Sequence, residues 1–400
     1  MIHRNAPQSL PRIAMLTILT AQREQFPYLD RYAYFNYGGQ GSLPGVAIDT
    51  MHQTQIAMQE IAPFSIAANT FMNRETAALR LLMAAELGVP TASMSIVENT
   101  TVGCNIALWG IDWRPGDRLL LTDCEHQGII ATAQELQRRY GVAIDVCPIL
   151  PAVAQPDDDL GAIIAEAIQP GTRMVALSHV LWNTGAVLPL SEIVAFCRSR
   201  GIFTLIDAAQ SVGVLPLNLT ELGVDFYGFT GHKWWCGPQG VGGLYVRPEV
   251  QAQLHPTFIG WRSVTTDAQG HPQRYQPQAD RYEVATSAVP LFTGLHQALE
   301  LHRKFGSASD RYELIKQNAS RLWHQLQALP QVHCLRATPP ASGLVAFQLE
   351  SGDHKTAVAQ LEAEGIYLRQ LLHPNCLRAC THYLTTTAEI DRLVEAIAQL

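Results

Sequence analysis

Seven short apolar runs punctuate the first 246 residues, at 93–97, 118–122, 142–147, 173–178, 202–206, 224–229 and 241–246. Most alternate with helix-like stretches, at 44–60, 76–87, 159–168 and 191–199 among others. Strands alternating with helices in this way describe a doubly wound α/β sheet, mostly parallel. In such a sheet, ligands lie outside the carboxyl ends of the strands. The residues that follow each run therefore become the candidates for chemistry. They include Thr101, His126, Asn183, Asp207 and Lys233. One polar residue after a strand is weak evidence, whereas five on one rim imply a site.

The lysine is the most informative of the five. The chain has four lysines, at 233, 304, 316 and 355, and none in its first 232 residues. Lys233 follows an apolar run and stands between His232 and two tryptophans, which is no place for a solvated surface charge. Desolvation favours the free amine, the form that Schiff-base chemistry needs. Asp207, at the end of the preceding run, suits the ring nitrogen of pyridoxal phosphate, whose usual protein partners are a lysine and an acid. A buried Asp–Lys ion pair without a cofactor fits the same two residues.

The other candidates also allow two readings each. The stretch 98–105, E-N-T-T-V-G-C-N, joins a strand to a helix N-terminus, where free amides and the dipole favour an anion. Thr100 or Thr101 would cap that helix in either case. His126 could stack on a planar ligand or serve the fold alone. Three glycines between Tyr37 and Leu43 allow tight turns and close approach to a ligand, or a turn with stacked aromatics.

Composition excludes several classes. Net charge is −7 with no basic run, which argues against nucleic acid. Hydrophobic residues make up 47% and charged residues 16%, a balance that fits extensive burial and a subunit interface. Eight cysteines are scattered, without C-x-x-C pairs or zinc-like spacing, so a reduced, cytoplasmic protein without a metal is expected. The apolar stretch 13–19 is too short to span a bilayer and reads as a helix or packed arm.

Beyond residue 247 the pattern changes. Residues 255–277 are polar and lack clear periodicity, and 291–304 reads as a helix linking two parts of the chain. Strands at 343–349, 367–369 and 376–381 and helices at 311–329, 355–364 and 387–399 describe a small α+β domain. The expected division is an arm over 1–30 joining the small domain, a large domain over 31–294, and the small domain over 295–400. Arg369 and Arg378 lie in strands of the latter, each with a fork suited to a carboxylate, although an arginine at a strand end is commonly a surface or paired residue.

Together these residues resemble the fold-type I pyridoxal-phosphate enzymes of aminotransferase class V, the cysteine desulfurase-like group. The likeness spans nearly the whole chain and is most specific at D-A-A-Q (207–210) and T-G-H-K (230–233), with T-T-V-G-C-N (100–105) in support. It implies a seven-stranded, mostly parallel sheet in the large domain. It also implies roles: Lys233 carries the Schiff base, Asp207 pairs with the ring nitrogen, and Gln210 and Asn183 face the ring hydroxyl. His126 would stack on the ring, and Thr101, the backbone at Val102, Thr230 and His232 would bind the phosphate. Thr286 or Ser287 would reach the phosphate of a neighbouring subunit's cofactor, so a homodimer is implied. Arg369, with Arg378, would hold substrate carboxylate, and Asn36 and Tyr37 are expected near the substrate.

One departure bears on the reaction. Desulfurases of this group use a cysteine on a mobile loop ahead of the substrate-binding arginine. Here only 370–377 separates the two arginines, and its one cysteine, Cys376, is expected inside a strand, on the face of Arg378. The expected reaction is therefore β-elimination from cystine or cysteine, giving pyruvate, ammonia and a persulfide or sulfide, with a sulfur-acceptor protein as a further partner. A cysteine desulfurase making alanine, in the service of iron–sulfur cluster assembly, is the nearest alternative. A non-catalytic pyridoxal-phosphate scaffold or regulator is the other. Pyruvate, alanine or no turnover distinguishes the three.

Overall fold

The computed structural model describes residues 12–155 and 158–400. The expected arm over 1–30 thus falls partly outside them; its described part is a helix, α1 (Arg12–Arg23), followed by a short turn. The seven expected strands are all present: β1 (Met94–Val97), β2 (Arg118–Thr122), β3 (Ala143–Cys147), β4 (Thr172–Ser178), β5 (Phe203–Asp207), β6 (Phe226–Thr230) and β7 (Gly242–Val246). They form one sheet in the order β1-β7-β6-β5-β4-β2-β3. Only β7 runs antiparallel to its neighbours, β1 and β6.

Most of these strands are buried on both faces, which is why they read as continuous apolar runs. Alternation still sorts their side chains. Val175, Leu177, Ile206 and Tyr227 enter the core on one side of the sheet, and Met174, Ala176, Leu205 and Phe226 the core on the other. Each fully buried Leu or Phe contributes roughly 1.5–3 kcal/mol through its removal from water. Helices α2 (Gly45–Glu60) and α3 (Ile66–Leu87) lie against the long helix Val289–Phe305, and α4 (Thr100–Trp109) and α5 (Gln127–Tyr140) pack together.

A second sheet, β8 (Val332–Cys334), β9 (Leu344–Leu349), β10 (Arg369–Leu372) and β11 (Asn375–Cys380), is antiparallel throughout, in the order β8-β9-β11-β10. It has its own core with Leu322, Phe347, Leu361 and Ile390. A further cluster, including Phe26, Tyr37, Trp234, Leu344 and Tyr383, ties α1 and the second sheet to the turn after β6.

Four local expectations need correction. Helix α3 begins at Ile66, ten residues before 76, because Ser65 caps it by accepting from the Ala68 amide at 3.0 Å. The added turns are largely exposed, with Ile66 at 88%, so no apolar period marked them. The expected strand at 367–369 is two: Ile366–Tyr367 pairs with Ala33–Tyr34, and β10 starts at Arg369. The polar stretch 255–277 contains a small hairpin, Val264–Thr266 with Pro272–Tyr275, and β8 is a strand where none was expected. No helix among the described residues is long and apolar enough to cross a membrane.

Candidate active site

Two adjoining cavities of about 390 and 440 Å³ open at the carboxyl ends of the central strands. Gly38, His126, Trp182, Gln210, Lys233 and Arg369 line both. Asp207, Thr101, Thr230 and His232 line the larger, and Asn183 and Arg378 the smaller. The rim convergence expected from the strand ends is therefore present.

Lys233 follows β6, and its neighbours are what set its amine. Burial, opposed by the charge of Asp207 and aided by Arg378, lowers its pKa to about 8. The free amine is thus far more accessible near neutral pH than for an ordinary lysine, at roughly a tenth of the population at pH 7. Asp207 closes β5, and its Oδ1 accepts from the Ala209 amide at 2.9 Å. His126 caps α5: its Nδ1 accepts from the Gly128 amide at 3.2 Å, which puts the proton of the neutral ring on Nε2. Its pKa is lowered by burial, with Asp207 acting the other way and Lys233 and the two arginines adding to the fall.

The anion end is built by close packing. A Cβ at Gly228 in β6 would stand 2.9 Å from Cys104 Sγ and 3.2 Å from Thr100 O, so this glycine lets α4 lie against the sheet with its N-terminus at the larger cavity. Asn99 caps α4 by accepting from the Val102 amide at 3.0 Å. The amide expected at Val102 as a phosphate donor is thus used by the cap, which leaves Thr100 and Thr101 for a ligand. Thr100 Oγ1 is buried without a partner among the described residues. The Thr230 hydroxyl and His232 Nδ1 lie 2.5 Å apart, and burial lowers His232 to about 4, with Lys233 adding to it.

The wall opposite is the β10–β11 hairpin. Arg369 and Arg378 are directly paired across it, two like charges side by side. Arg378 is 1% exposed; its Nη1 donates to Trp182 O at 2.9 Å, while Nε and Nη2 have no partner among the described residues. Asn183 Nδ2 donates to His373 O in the hairpin turn at 3.3 Å, and Asn183 Oδ1 is unpartnered. Buried polar groups are ordinarily satisfied, and leaving one unmade costs about 1–3 kcal/mol. Unmade bonds clustered on one wall mark where a ligand's polar groups go. A lysine, an acid, an imidazole, a helix N-terminus with hydroxyls and a buried guanidinium could together hold a planar phosphorylated aldehyde and a carboxylate.

Several expected residues stand elsewhere. Asn36 and Tyr37 line neither cavity. Tyr37 is buried, with its ring stacked 4.5 Å from His382. Gln210 lines both cavities, but its amide is already committed: Nε2 donates to Gly38 O and Oε1 accepts from Trp234 Nε1, each at 2.9 Å. Thr286 and Ser287, expected at a neighbouring subunit's phosphate, line neither cavity of their own chain. Gly41, one of three glycines that allow either a tight turn or close approach to a ligand, packs against the lysine turn, where a Cβ would fall 2.2 Å from Lys233 O. Cys376 is buried in β11, lines neither cavity, and has its thiol pushed up to about 12 by burial, Arg378 acting the other way.

Trp182 and Glu125 were missed. Trp182 lines both cavities with an unpartnered indole Nε1 and meets the His126 ring edge-on at 5.5 Å. Glu125 accepts from Thr122 Oγ1 at 2.6 Å and Ser178 Oγ at 2.7 Å. Burial pushes it up to about 7, against these two hydrogen bonds and together with the charge of Asp207. Each adjoins a residue chosen from the sequence, Asn183 and His126, which was the one signal available.

A sheet with a lysine and an acid on adjacent strand ends, faced by an arginine-bearing second sheet, defines a class of cofactor-dependent α/β enzyme. Residues 66–393 match Aminotransferase class-V, and the chain belongs to that family. A solved complex described as the cystine C-S lyase C-DES with its reaction product, cysteine persulfide, is 45% identical, with a TM-score of 0.92, over 94% of this chain and 100% of that one. A C-DES mutant with glycine covalently linked to the PLP cofactor matches equally well, over 94% and 99%. A cysteine desulfurase of Serratia proteamaculans is 29% identical over 94% of this chain and 97% of its own length.

Proposed function

We propose that this protein is a pyridoxal-phosphate-dependent carbon–sulfur lyase that eliminates the β-sulfur of cystine or cysteine. The observation that carries the choice between elimination and desulfuration is the place of Cys376. It lies inside β11, buried, and only His373 and Pro374 separate β10 from β11. A nucleophile that must reach substrate sulfur needs a mobile segment and a thiolate; this thiol has neither. The 45% identity to C-DES supports the same reading.

The donor set fits the cofactor, with Thr100 Oγ1 and Asn183 Oδ1 as the buried atoms left for it. Pyridoxal phosphate, when bound, supplies a sink for the electron pair left at the substrate Cα. Asp207 would hold the ring nitrogen protonated, and His126 would cover one ring face. Asn183 would meet the ring hydroxyl, with Gln210, held by Gly38 and Trp234, beside it, and Thr100, Thr101, Thr230 and His232 would hold the phosphate. The Lys233 amine takes the Cα proton as general base. Arg378 and Arg369 hold carboxylate, and the half of cystine that leaves as persulfide carries a carboxylate of its own. Loss of sulfur and hydrolysis yield pyruvate and ammonia.

A homodimer belongs to this reading, with Thr286 and Ser287 reaching a neighbouring subunit's cofactor phosphate. Support comes from Phe258, Ile259 and Trp261, each more than half exposed, and from a surface cavity lined by both Phe258 and Thr101. The division at 294/295, a cytoplasmic setting and a sulfur-acceptor protein complete it. The test is product analysis with cystine and cysteine: pyruvate with persulfide or sulfide is expected, and alanine as the main product would replace the lyase by the desulfurase.

A further inference from the structure

The turn that presents Lys233 has its backbone carbonyls taken up one after another. His232 O accepts from the Gly41 amide at 2.8 Å and Lys233 O from the Cys236 amide at 3.0 Å. Trp234 O faces His382 Nε2 at 3.1 Å, and Trp235 O faces His302 Nε2 at 2.9 Å. Two of the four partners are imidazoles from distant segments, and both rings are buried.

The other ring nitrogens decide the tautomers. His382 Nδ1 accepts from the Leu384 amide at 3.4 Å, so its proton is on Nε2 and goes to Trp234 O. His302 Nε2 faces a carbonyl and must carry a proton; its Nδ1 then accepts from the Tyr383 hydroxyl at 2.6 Å. That hydroxyl in turn accepts from Gln22 Nε2 in α1 at 3.2 Å. Each donor has an acceptor and each acceptor a donor, which leaves no place for an additional proton. The titratable groups around the pair agree. Burial lowers His302 to about 3, with the Arg311 guanidinium adding to the fall. His382 is lowered well below the ordinary value by burial, with His302 and Arg311 adding to it. Tyr37 covers the His382 face, and burial raises its hydroxyl.

We propose that His382 and His302 are positioning residues, permanently neutral Nε2–H donors that hold the carbonyls of Trp234 and Trp235 and thereby aim Lys233, and that Tyr383 and Gln22 tie this clamp to the seating of α1. The inference rests on Lys233 being the cofactor lysine. The clamp draws on four parts of the chain: α1, the turn after β6, the helix Val289–Phe305 and the segment after β11. Neither imidazole lines either of the two cavities at the strand ends, so neither is placed to act catalytically there. Their effect passes through the lysine, whose placement must hold to within a fraction of an ångström.

The test compares His382→Leu, which removes the donor, with His382→Gln, which keeps an N–H on a side chain of similar reach. The holoenzyme's visible cofactor absorption is followed against pH, and kcat and KM are measured apart. His382→Leu is expected to move the midpoint of the spectral titration by about one pH unit and to lower kcat roughly tenfold or more, with KM changed far less. His382→Gln should recover most of both. Tyr383→Phe, which removes one oxygen from the same chain, should move the midpoint the same way by less, and it carries the test if His382→Leu does not fold. Equal spectra and kcat in His382→Leu and His382→Gln, or an unmoved midpoint in Tyr383→Phe, overturn the clamp. Failure of borohydride to fix the cofactor to Lys233 in the unaltered protein would instead overturn the cofactor reading beneath it.

Discussion

The floor of the site and its facing wall are built on opposite rules. On the floor, around Lys233 and Asp207, polar groups are mostly satisfied by the chain itself: the carbonyls of residues 232–235 all have partners, and Gln210 is bonded at both ends. On the wall, Arg378 keeps two unmade donors, Asn183 Oδ1 and Trp182 Nε1 have no partner among the described residues, and two arginines are paired across β10–β11. The floor is thus organised before a ligand arrives, as chemistry that depends on orientation requires. Three of the wall's unmet atoms, Arg378 Nε and Nη2 and Trp182 Nε1, are donors short of an acceptor, which on the proposed function a substrate carboxylate would supply. A site can therefore be rigid where bonds are broken and incomplete where substrate is chosen.

The largest effect should come from the floor. Lys233→Ala is expected to lose the covalent cofactor linkage and to lower pyruvate formation by roughly 10⁴-fold or more. A variant that still gives a borohydride-reducible lysine adduct would place the chemistry elsewhere. The wall should respond differently, with function and stability moving apart. Arg378→Met is expected to cut kcat/KM by about 10²–10³-fold, as loss of a desolvated charge partner does. The same change should raise conformational stability by about 1 kcal/mol or more, because a buried guanidinium with unmade bonds is replaced by an apolar chain. If stability instead falls as in a cavity mutant, the wall is not strained by missing partners and the contrast collapses.

Glu125 tests the floor through pH. Its folded pKa of about 7 lies above its ordinary 4.5, so between these values the folded state holds the proton more tightly than the unfolded chain. Stability therefore falls as pH rises through that window, by at most about 3 kcal/mol. Glu125→Gln should flatten the fall, which denaturant titrations at pH 5 and pH 8 would detect. An unchanged difference between the two pH values would mean that Glu125 ionises freely. The smallest effect is expected at Cys376→Ala: activity within about twofold, with a stability loss of about 1 kcal/mol for the buried sulfur. A collapse of turnover there would favour a sulfur-carrying thiol and reverse the lyase reading.

Much of this was legible from the chain. The seven strands stood out because most are apolar enough to be buried on both faces, and Lys233 stood out because lysine is absent before it. The start of α3 was not legible, because its added turns are exposed and carry no period. Nor was the occupation of the Val102 amide, since a strand, a polar turn and a helix N-terminus look alike whether the cap or a ligand takes that donor.

Composition and order along the chain determined which side chains stand at the strand ends, because a buried strand must be apolar and must stop where polar groups reach the rim. Which polar atoms are satisfied, and which still wait, was decided by the tertiary structure alone. His382 meets Trp234 O across 148 residues and His302 meets Trp235 O across 67, and no local pattern encodes a hydrogen bond over such separations.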